Sequence, residues 1–292
     1  MPDNKKVSVI IVTWNSSDEI EGCINSIINS QRINSSEFEI IVIDNNSTDD
    51  TKIKLDQIKK NLYSNIILIY NKENVGFTKA CNQGIEIFTG ENILILNPDT
   101  EIVDDAIDKM AAKLNSDKSI GAVAPKLLNK DGSIQKSCRT FPEYSDMFFE
   151  MTLLSKLFPK SKKVSRWKMN YFDHDKECKV DQPMAAALMI KKSVLDNIDN
   201  FDERYKMFFN DVDICKKIYD SGKSIIFYPE AVVIHIKGVS IYKDREKMIR
   251  IWNKDCAEYF KKYHNNVLLY NLLKAGLTVS GAVRILLYKL TK

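Results

Sequence analysis

Residues 93–100 read Ile-Leu-Ile-Leu-Asn-Pro-Asp-Thr. Four apolar residues in a row suit a strand covered on both faces in the middle of a sheet. The abrupt polar stop places Asp99 at the carboxyl end of that strand, the edge where open α/β sheets hold their ligands. A carboxylate there, beside the side-chain oxygen of Asn97, suits a hard divalent cation and, through it, the phosphates of a nucleotide. Asp and Thr also cap helices, and Asp104 and Asp105 follow. A helix start is therefore the alternative reading of the same residues.

Three more apolar runs precede this one: Val7 to Thr13, Phe38 to Asp44 and Ile66 to Tyr70. Between them lie stretches with helical spacing, about 18–30 (Ile20, Cys23, Ile24, Ile27, Ile28), 50–60 and 77–88. The alternation predicts an α/β fold with a mostly parallel central sheet and helices on both faces. Right-handed crossovers then bring all four strand ends to one edge. That edge would gather Thr13, Asn15, Asp44, Asn45, Asn46, Asn71, Asn74, Asn97 and Asp99. Taken singly each is ordinary turn chemistry. As a set they suit a uracil or thymine nucleotide: Asp44 can accept the N3–H of the ring while Thr13 reaches a ring carbonyl.

Composition narrows the class. A chain of 292 residues with 44% hydrophobic content can fill a sizeable core. With 43 basic residues against 39 acidic ones, the net charge of +4 gives no ground for a nucleic-acid partner. Neither G-x-G-x-x-G nor G-x-x-x-x-G-K-[ST] occurs, which disfavours a nicotinamide dehydrogenase or a P-loop ATPase. Without such a nest of backbone N–H groups, a metal ion is the natural neutraliser of a diphosphate. Six cysteines without a C-x-x-C pair, and no signal peptide ahead of the first strand, read as a reducing, cytoplasmic protein with free thiols.

The runs VSVIIVTWNSSDEIEGCINSI (7–27), IIVIDNNSTDDT (40–51), NVGFTKACNQGI (74–85) and LILNPDT (94–100) together resemble the donor-binding half of family 2 glycosyltransferases, in the rhamnosyltransferase-like branch. The resemblance continues through PKLLNKDGSIQKSCRTFPE (125–143), FFNDVDICKKI (208–218) and VIHIKGVS (233–240). It implies a GT-A fold with a nucleotide-sugar-binding half (1–103) and an acceptor and catalytic half (104–264), followed by an amphipathic helical segment (265–292). It also implies a nucleotide-diphosphate sugar donor, dTDP- or UDP-linked, and a Mg2+ or Mn2+ cofactor. By position, it assigns Thr13, Asn15, Asp44 and Asn46 to the nucleoside, and Asn74, Gly76 and Asn82 to the diphosphate. Asn97 and Asp99 fall on the family's Asp-x-Asp metal motif, with Asn97 a neutral departure and Asp99 the retained ligand. His235 matches a histidine that joins the metal or the phosphate.

Inverting sugar transfer needs one carboxylate to take the proton of the attacking hydroxyl. No acid is needed opposite it if a metal stabilises the leaving group. The resemblance gives Asp211 this role, within Phe208-Phe209-Asn210-Asp211-Val212-Asp213, where Asn210 replaces the family's usual Glu. Asp213 is the second candidate, and N-terminal capping of a helix from Val212 to Tyr219 is the alternative for both. Ala185 and Ala186 replace a usual Gly-Ala and would let an acceptor approach the backbone. Arg139 and Lys136 could meet its phosphate or hydroxyls, or simply be solvated.

Lys156, Lys160, Lys162, Lys163, Arg166 and Lys168 surround Leu157, Phe158 and Trp167, a pattern that fits an anionic membrane surface or an exposed loop. From Val267 to Leu290 the chain is apolar but broken by Lys274 and Arg284, which favours a helix lying at an interface or packed on the protein over one that spans. The expected activity is transfer of rhamnose from dTDP-rhamnose to a saccharide or lipid-diphosphate-linked saccharide, at the inner face of the cell membrane. A sugar nucleotidyltransferase would share the sheet but need a Gly-rich basic loop where Trp14-Asn15-Ser16-Ser17 stands. A non-catalytic sugar-nucleotide-binding protein would not need Asp211.

Overall fold

Seven consecutive buried residues form β1 (Val7–Thr13), and a second run of seven forms β2 (Phe38–Asp44). Both are dominated by Val and Ile, whose branched side chains suit a pleat packed on both faces. The computed structural model describes residues 6–30, 38–61, 65–236 and 245–290. Between the strands, α1 (Ile20–Asn29) buries Ile20, Cys23, Ile24 and Ile27. After α2 (Thr51–Asn61) come β3 (Ile66–Tyr70), α3 (Phe77–Ile87) and β4 (Asn92–Leu96). These four strands pair in parallel in the order β3-β2-β1-β4. The helix α3 lies close over β1: a Cβ on Gly84 would stand 2.8 Å from Cγ2 of Ile10.

Asp99 is not a helix start. The chain leaves β4 and enters a further strand, β5 (Thr100–Ile102), and α4 (Ala106–Asn115) begins only after Asp105. Then follow β6 (Ile120–Leu128), β7 (Ile134–Gln135), β8 (Cys138–Arg139), α5 (Tyr144–Met151), α6 (Leu154–Leu157), β9 (Cys178–Val180), β10 (Gln182–Pro183), β11 (Ala187–Lys191) and α7 (Lys192–Leu195). The chain continues through α8 (Asn210–Asp220), β12 (Ser224–His235), α9 (Arg245–Tyr263) and α10 (Val267–Leu290). The sheet runs β3-β2-β1-β4-β11-β6-β12-β5. β11 lies antiparallel between β4 and β6, while β12 and β6 pair in parallel, so the central strands mostly share one direction.

One apolar cluster joins α1, α2 and α4 to one face of the sheet, and a second joins α3, α7 and α8 to the other. A third, built on Met147, Tyr205, Phe209, Val212, Tyr259, Phe260 and Leu273, ties α5, α8, α9 and α10 together. Burying each such side chain contributes about 1.5–3 kcal/mol. Within α10 the buried residues are Leu273, Leu277 and Gly281, one turn apart, and they face α9 and α5. Among the described residues no helix is long and apolar enough to cross a membrane, and all six cysteines are free.

Candidate active site

Thr13 and Asp44 close β1 and β2 as direct neighbours in the parallel register. Both are fully buried, and Oγ1 of Thr13 and Oδ1 of Asp44 have no hydrogen-bond partner. The other carboxylate oxygen of Asp44 accepts the Ser47 backbone N–H at 3.1 Å and lies 3.7 Å from Nζ of Lys52. A buried polar atom left unpaired costs about 1–3 kcal/mol, so two side by side at a strand edge point to a missing polar ligand.

The surrounding Asn residues build the walls. Asn15 and Asn46 adopt left-handed backbone, at φ 52° and 65°. Oδ1 of Asn15 accepts the Thr48 N–H at 2.8 Å, fixing the turn after β2. Asn45 accepts the Val75 N–H at 3.0 Å and donates to Oδ1 of Asn74 at 3.0 Å, which also accepts the Gly76 N–H at 3.1 Å. Gly76 starts α3 at φ +89°, a conformation that excludes most side chains. Asn82 departs from this group. Its Nδ2 donates to the Phe201 carbonyl at 2.9 Å and its Oδ1 accepts the Phe201 N–H at 3.1 Å. With both ends of the amide engaged, Asn82 clamps the 201–203 segment and does not present itself to a diphosphate.

At the end of β4, Oδ1 of Asp99 faces Nε2 of His235 at 3.4 Å. The pair is held from both sides: the backbone N–H of Ile236 donates to the Asp99 carbonyl at 2.8 Å, and Nδ1 of His235 meets Oε1 of Gln135 at 2.7 Å. Nε2 of Gln135 donates to Oδ1 of Asn129 and to the His235 carbonyl. This assigns Oε1 to the ring, so Nδ1 donates to it and Nε2 is turned towards the carboxylate. A carboxylate and a ring nitrogen facing each other, with an amide fixing the ring from behind, are two groups that could hold a divalent cation. No group of three His, Cys, Asp or Glu residues is placed to hold a metal among the described residues. A Mg2+ or Mn2+ held by two side chains leaves positions for phosphate oxygens, the usual arrangement at nucleotide sites. Residues 237–240, the end of the last resembling motif, lie outside the described residues.

Asp211 sits in the first turn of α8, where the left-handed Phe209 (φ 59°) turns the chain into the helix. Its Oδ2 accepts from Nε2 of Gln182 at 2.9 Å, its Oδ1 accepts the Val212 N–H at 2.9 Å, and the Ala185 backbone also hydrogen-bonds it. Burial raises its carboxyl above the ordinary Asp value, and the nearby Arg139 charge only partly offsets this. Arg139 is not a solvated side chain. It pairs in register with Gln182 and lies 5.1 Å from the centre of the Trp167 ring. The segment Ala185–Ala186 runs between Asp211 and the end of β4: Ala185 bonds Asp211, and the Ala186 carbonyl accepts the Asn97 N–H at 2.9 Å.

Asp213 belongs elsewhere. It is fully buried, accepts from Nζ of Lys262 at 2.6 Å and from the Tyr263 hydroxyl at 2.8 Å, and so fastens α8 to α9. That position removes it from the acceptor and from the role of second candidate base. Arg166 is likewise engaged, on Asp146, and Lys168 on Glu150, so part of the expected basic surface holds α5 in place. Sequence reading missed Gln135, Gln182 and Asp255. The last accepts the Met207 and Phe208 N–H groups at 3.3 and 3.0 Å and anchors the loop that delivers Asp211. Only a polar residue within an otherwise apolar helical face signals it.

The fold is that of a GT-A glycosyltransferase. A mannosyltransferase from Pyrobaculum calidifontis solved with GDP-Man and Mn2+ aligns with a TM-score of 0.61 at 17% identity, over 96% of this chain and 74% of that one. Residues 1–349 of S. aureus TarS align with a TM-score of 0.57 at 18% identity, over 94% and 71%. The glycosyl transferase family 2 model matches residues 8–177, more than half of the chain, and the chain belongs to that family. An N-acetylglucosaminyl-diphospho-decaprenol L-rhamnosyltransferase of Mycobacterium tuberculosis is 23% identical over 77% of this chain and 75% of its own length.

Proposed function

We propose that this glycosyltransferase is metal-dependent and inverting, and moves rhamnose from dTDP-rhamnose to a lipid-diphosphate-linked saccharide during cell-surface polysaccharide synthesis. The observation that carries the reading is Asp211: a carboxylate raised by burial, oriented by Gln182 and Ala185, and joined through Ala185–Ala186 to the edge bearing Asp99 and His235. A raised carboxyl is the stronger base once ionised, which suits it to an alcohol proton.

In this reading Asp44 and Thr13 receive the pyrimidine with the two oxygens that lack partners. Asn74 and Gly76, at the start of α3, face the diphosphate side, where a helix N-terminus favours negative charge. Asp99 and Nε2 of His235 would hold Mg2+ or Mn2+, whose charge would offset that of the departing diphosphate. Asp211 accepts the proton of the acceptor hydroxyl as its oxygen bonds to the anomeric carbon, and the bond from that carbon to the diphosphate oxygen breaks. The rhamnosyl donor and the lipid-linked acceptor are carried over from the M. tuberculosis relative, by the name it bears.

Membrane contact is part of the proposal. Opposite the packed face of α10, Leu268, Leu272, Val279, Val283, Leu286 and Leu290 are all exposed and share one stripe. Such a face supports a helix lying in a bilayer interface, on the cytoplasmic side where a nucleotide sugar is available.

Release of dTDP from dTDP-rhamnose, compared with UDP- and GDP-sugars with and without Mn2+, tests the reading. Metal-dependent turnover that is lost in Asp211→Asn supports it. A chain that turns over no nucleotide sugar under any of these conditions overturns it in favour of a non-catalytic role.

A further inference from the structure

Away from the strand edge, a cavity of about 480 Å3 opens between α6 and the segments 136 and 159–170. Four lysines line it: Lys136, Lys156, Lys160 and Lys168. Lys168 has Glu150 as counter-ion, and the Lys136 ammonium donates to the Asn170 carbonyl. Among the described residues no carboxylate pairs with Lys136, Lys156 or Lys160, so the cavity carries uncompensated positive charge. Ser155 also lines it. That residue is 2% exposed, and its hydroxyl has no hydrogen-bond partner. Lysine ammoniums on a concave wall with a buried, unpaired hydroxyl make a receptor for a phosphate or diphosphate.

The rim is apolar. Leu157 and Phe158, the neighbours of Lys156 and Pro159, are 70% and 56% exposed, and Leu153 is 52% exposed. A ligand that satisfies both parts is an amphiphile with an anionic head and a hydrocarbon tail. The chain that carries Lys136 leads on to Arg139. Lys136 precedes Arg139 by three residues of near-extended chain, about 10 Å. Arg139 and Lys168 lie 5.1 and 5.8 Å from the centre of the same Trp167 ring, and Arg139 is within electrostatic reach of Asp211.

We infer that the Lys136–Ser155–Lys156–Lys160–Lys168 cavity holds the diphosphate of the lipid-linked acceptor, with Leu157 and Phe158 receiving the first part of its hydrocarbon chain. This rests on the reading of the acceptor given above and assigns it a place on the protein. The diphosphate fixes one end of the acceptor, and the saccharide extends past Arg139 towards Asp211.

Dodecyl diphosphate, used below its micelle concentration and in EDTA, probes the cavity directly by titration calorimetry. The double variant Lys156→Gln/Lys160→Gln, made at two exposed positions, should bind it about tenfold or more weakly. Binding by the parent chain should also fall with salt more steeply than binding by the variant. Equal affinity of parent and double variant overturns the assignment. A second arm titrates phosphatidylglycerol vesicles against bound dodecyl diphosphate. Displacement at matching headgroup concentration overturns it in favour of a general lipid-headgroup site, and its failure supports a diphosphate site. Donor turnover by the parent chain is measured separately, so a loss of the functional reading and a loss of this site are told apart.

Discussion

The carboxylate of Asp99, in the turn between β4 and β5, faces Nε2 of His235 at the end of β12 at 3.4 Å. The two residues are 136 positions apart in sequence, and each is pinned by a partner of its own, Asp99 by the Ile236 backbone and His235 by Gln135. A cation bound there would bind the native chain and not the unfolded one, so it must raise stability in proportion to its occupancy. With dTDP present, Mn2+ should raise the melting temperature of the parent, and His235→Ala should lose that shift. Gln135→Leu should weaken the Mn2+ response about 10-fold to 100-fold, the usual consequence of removing the group that orients a ligand histidine. A full Mn2+ shift in both variants would contradict the site.

Asp44 carries a buried oxygen with no partner beside the equally unpaired Thr13 hydroxyl. A hydrogen bond to an ionised carboxylate contributes about 1.5–3 kcal/mol. Asp44→Asn should therefore weaken dTDP binding by about tenfold or more, and GDP should show no comparable loss. Isothermal titration of the two nucleotides measures the difference.

Burial raises the Asp211 carboxyl, with consequences of opposite sign for activity and stability. A base must be ionised, so turnover should fall on acidification at a pH above the ordinary Asp range of about 3.9. For folding, the native state holds this proton at pH values where the unfolded chain has lost it. The stabilising contribution is thus complete below the unfolded pKa and is lost as pH rises through the folded one. Asp211→Asn removes a carboxyl whose charged form is disfavoured by burial. It should lower kcat by about a thousandfold while leaving the melting temperature at pH 7 equal or higher. A fall in both would mark Asp211 as structural.

Asp213 is fully buried on Lys262 and Tyr263. Asp213→Ala removes the acceptor that Lys262 and Tyr263 share, while Lys262 keeps Asp202 at 2.9 Å, so it should cost about 1–3 kcal/mol in urea unfolding. Stability unaffected by Asp213→Ala would remove its role as the fastener of α8 to α9.

The outer stripe of α10 makes no packing contribution to the fold, since its residues are exposed. Leu272→Asp/Val279→Asp should leave the melting temperature within about 0.5 kcal/mol of the parent and abolish pelleting with phosphatidylglycerol vesicles. Undiminished pelleting would place membrane contact elsewhere.

The legible parts of this protein were those with a local cause. β1, β2 and β4 declare themselves as apolar runs, and Thr13, Asp44 and Asp99 end up at one edge because parallel strands joined by right-handed crossovers have no other arrangement. The reading of Asp99 as a helix cap failed because the next residues join β5, whose pairing with β12 depends on a strand more than 120 positions later. Asp211 and Asp213 show the same limit on a finer scale. Two residues apart on one helix, they differ by about 200° around its axis, so one meets Gln182 and the other is buried against α9.

Sequence alone determined the sheet, its direction and the chemistry gathered at its edge, since strand periodicity and turn residues act over a few positions of chain. Tertiary structure decided which acids are free and which are spent. Asp213 and Asn82 carry groups as reactive in principle as those of Asp211 and Asn74, but Lys262 and Tyr263 hold the first and the Phe201 backbone holds the second. It also decided that Lys136 joins Lys156, Lys160 and Lys168, already grouped in sequence, around one cavity. The energy of a polar group depends on what it faces, and what it faces is set by packing between segments that no short-range pattern connects.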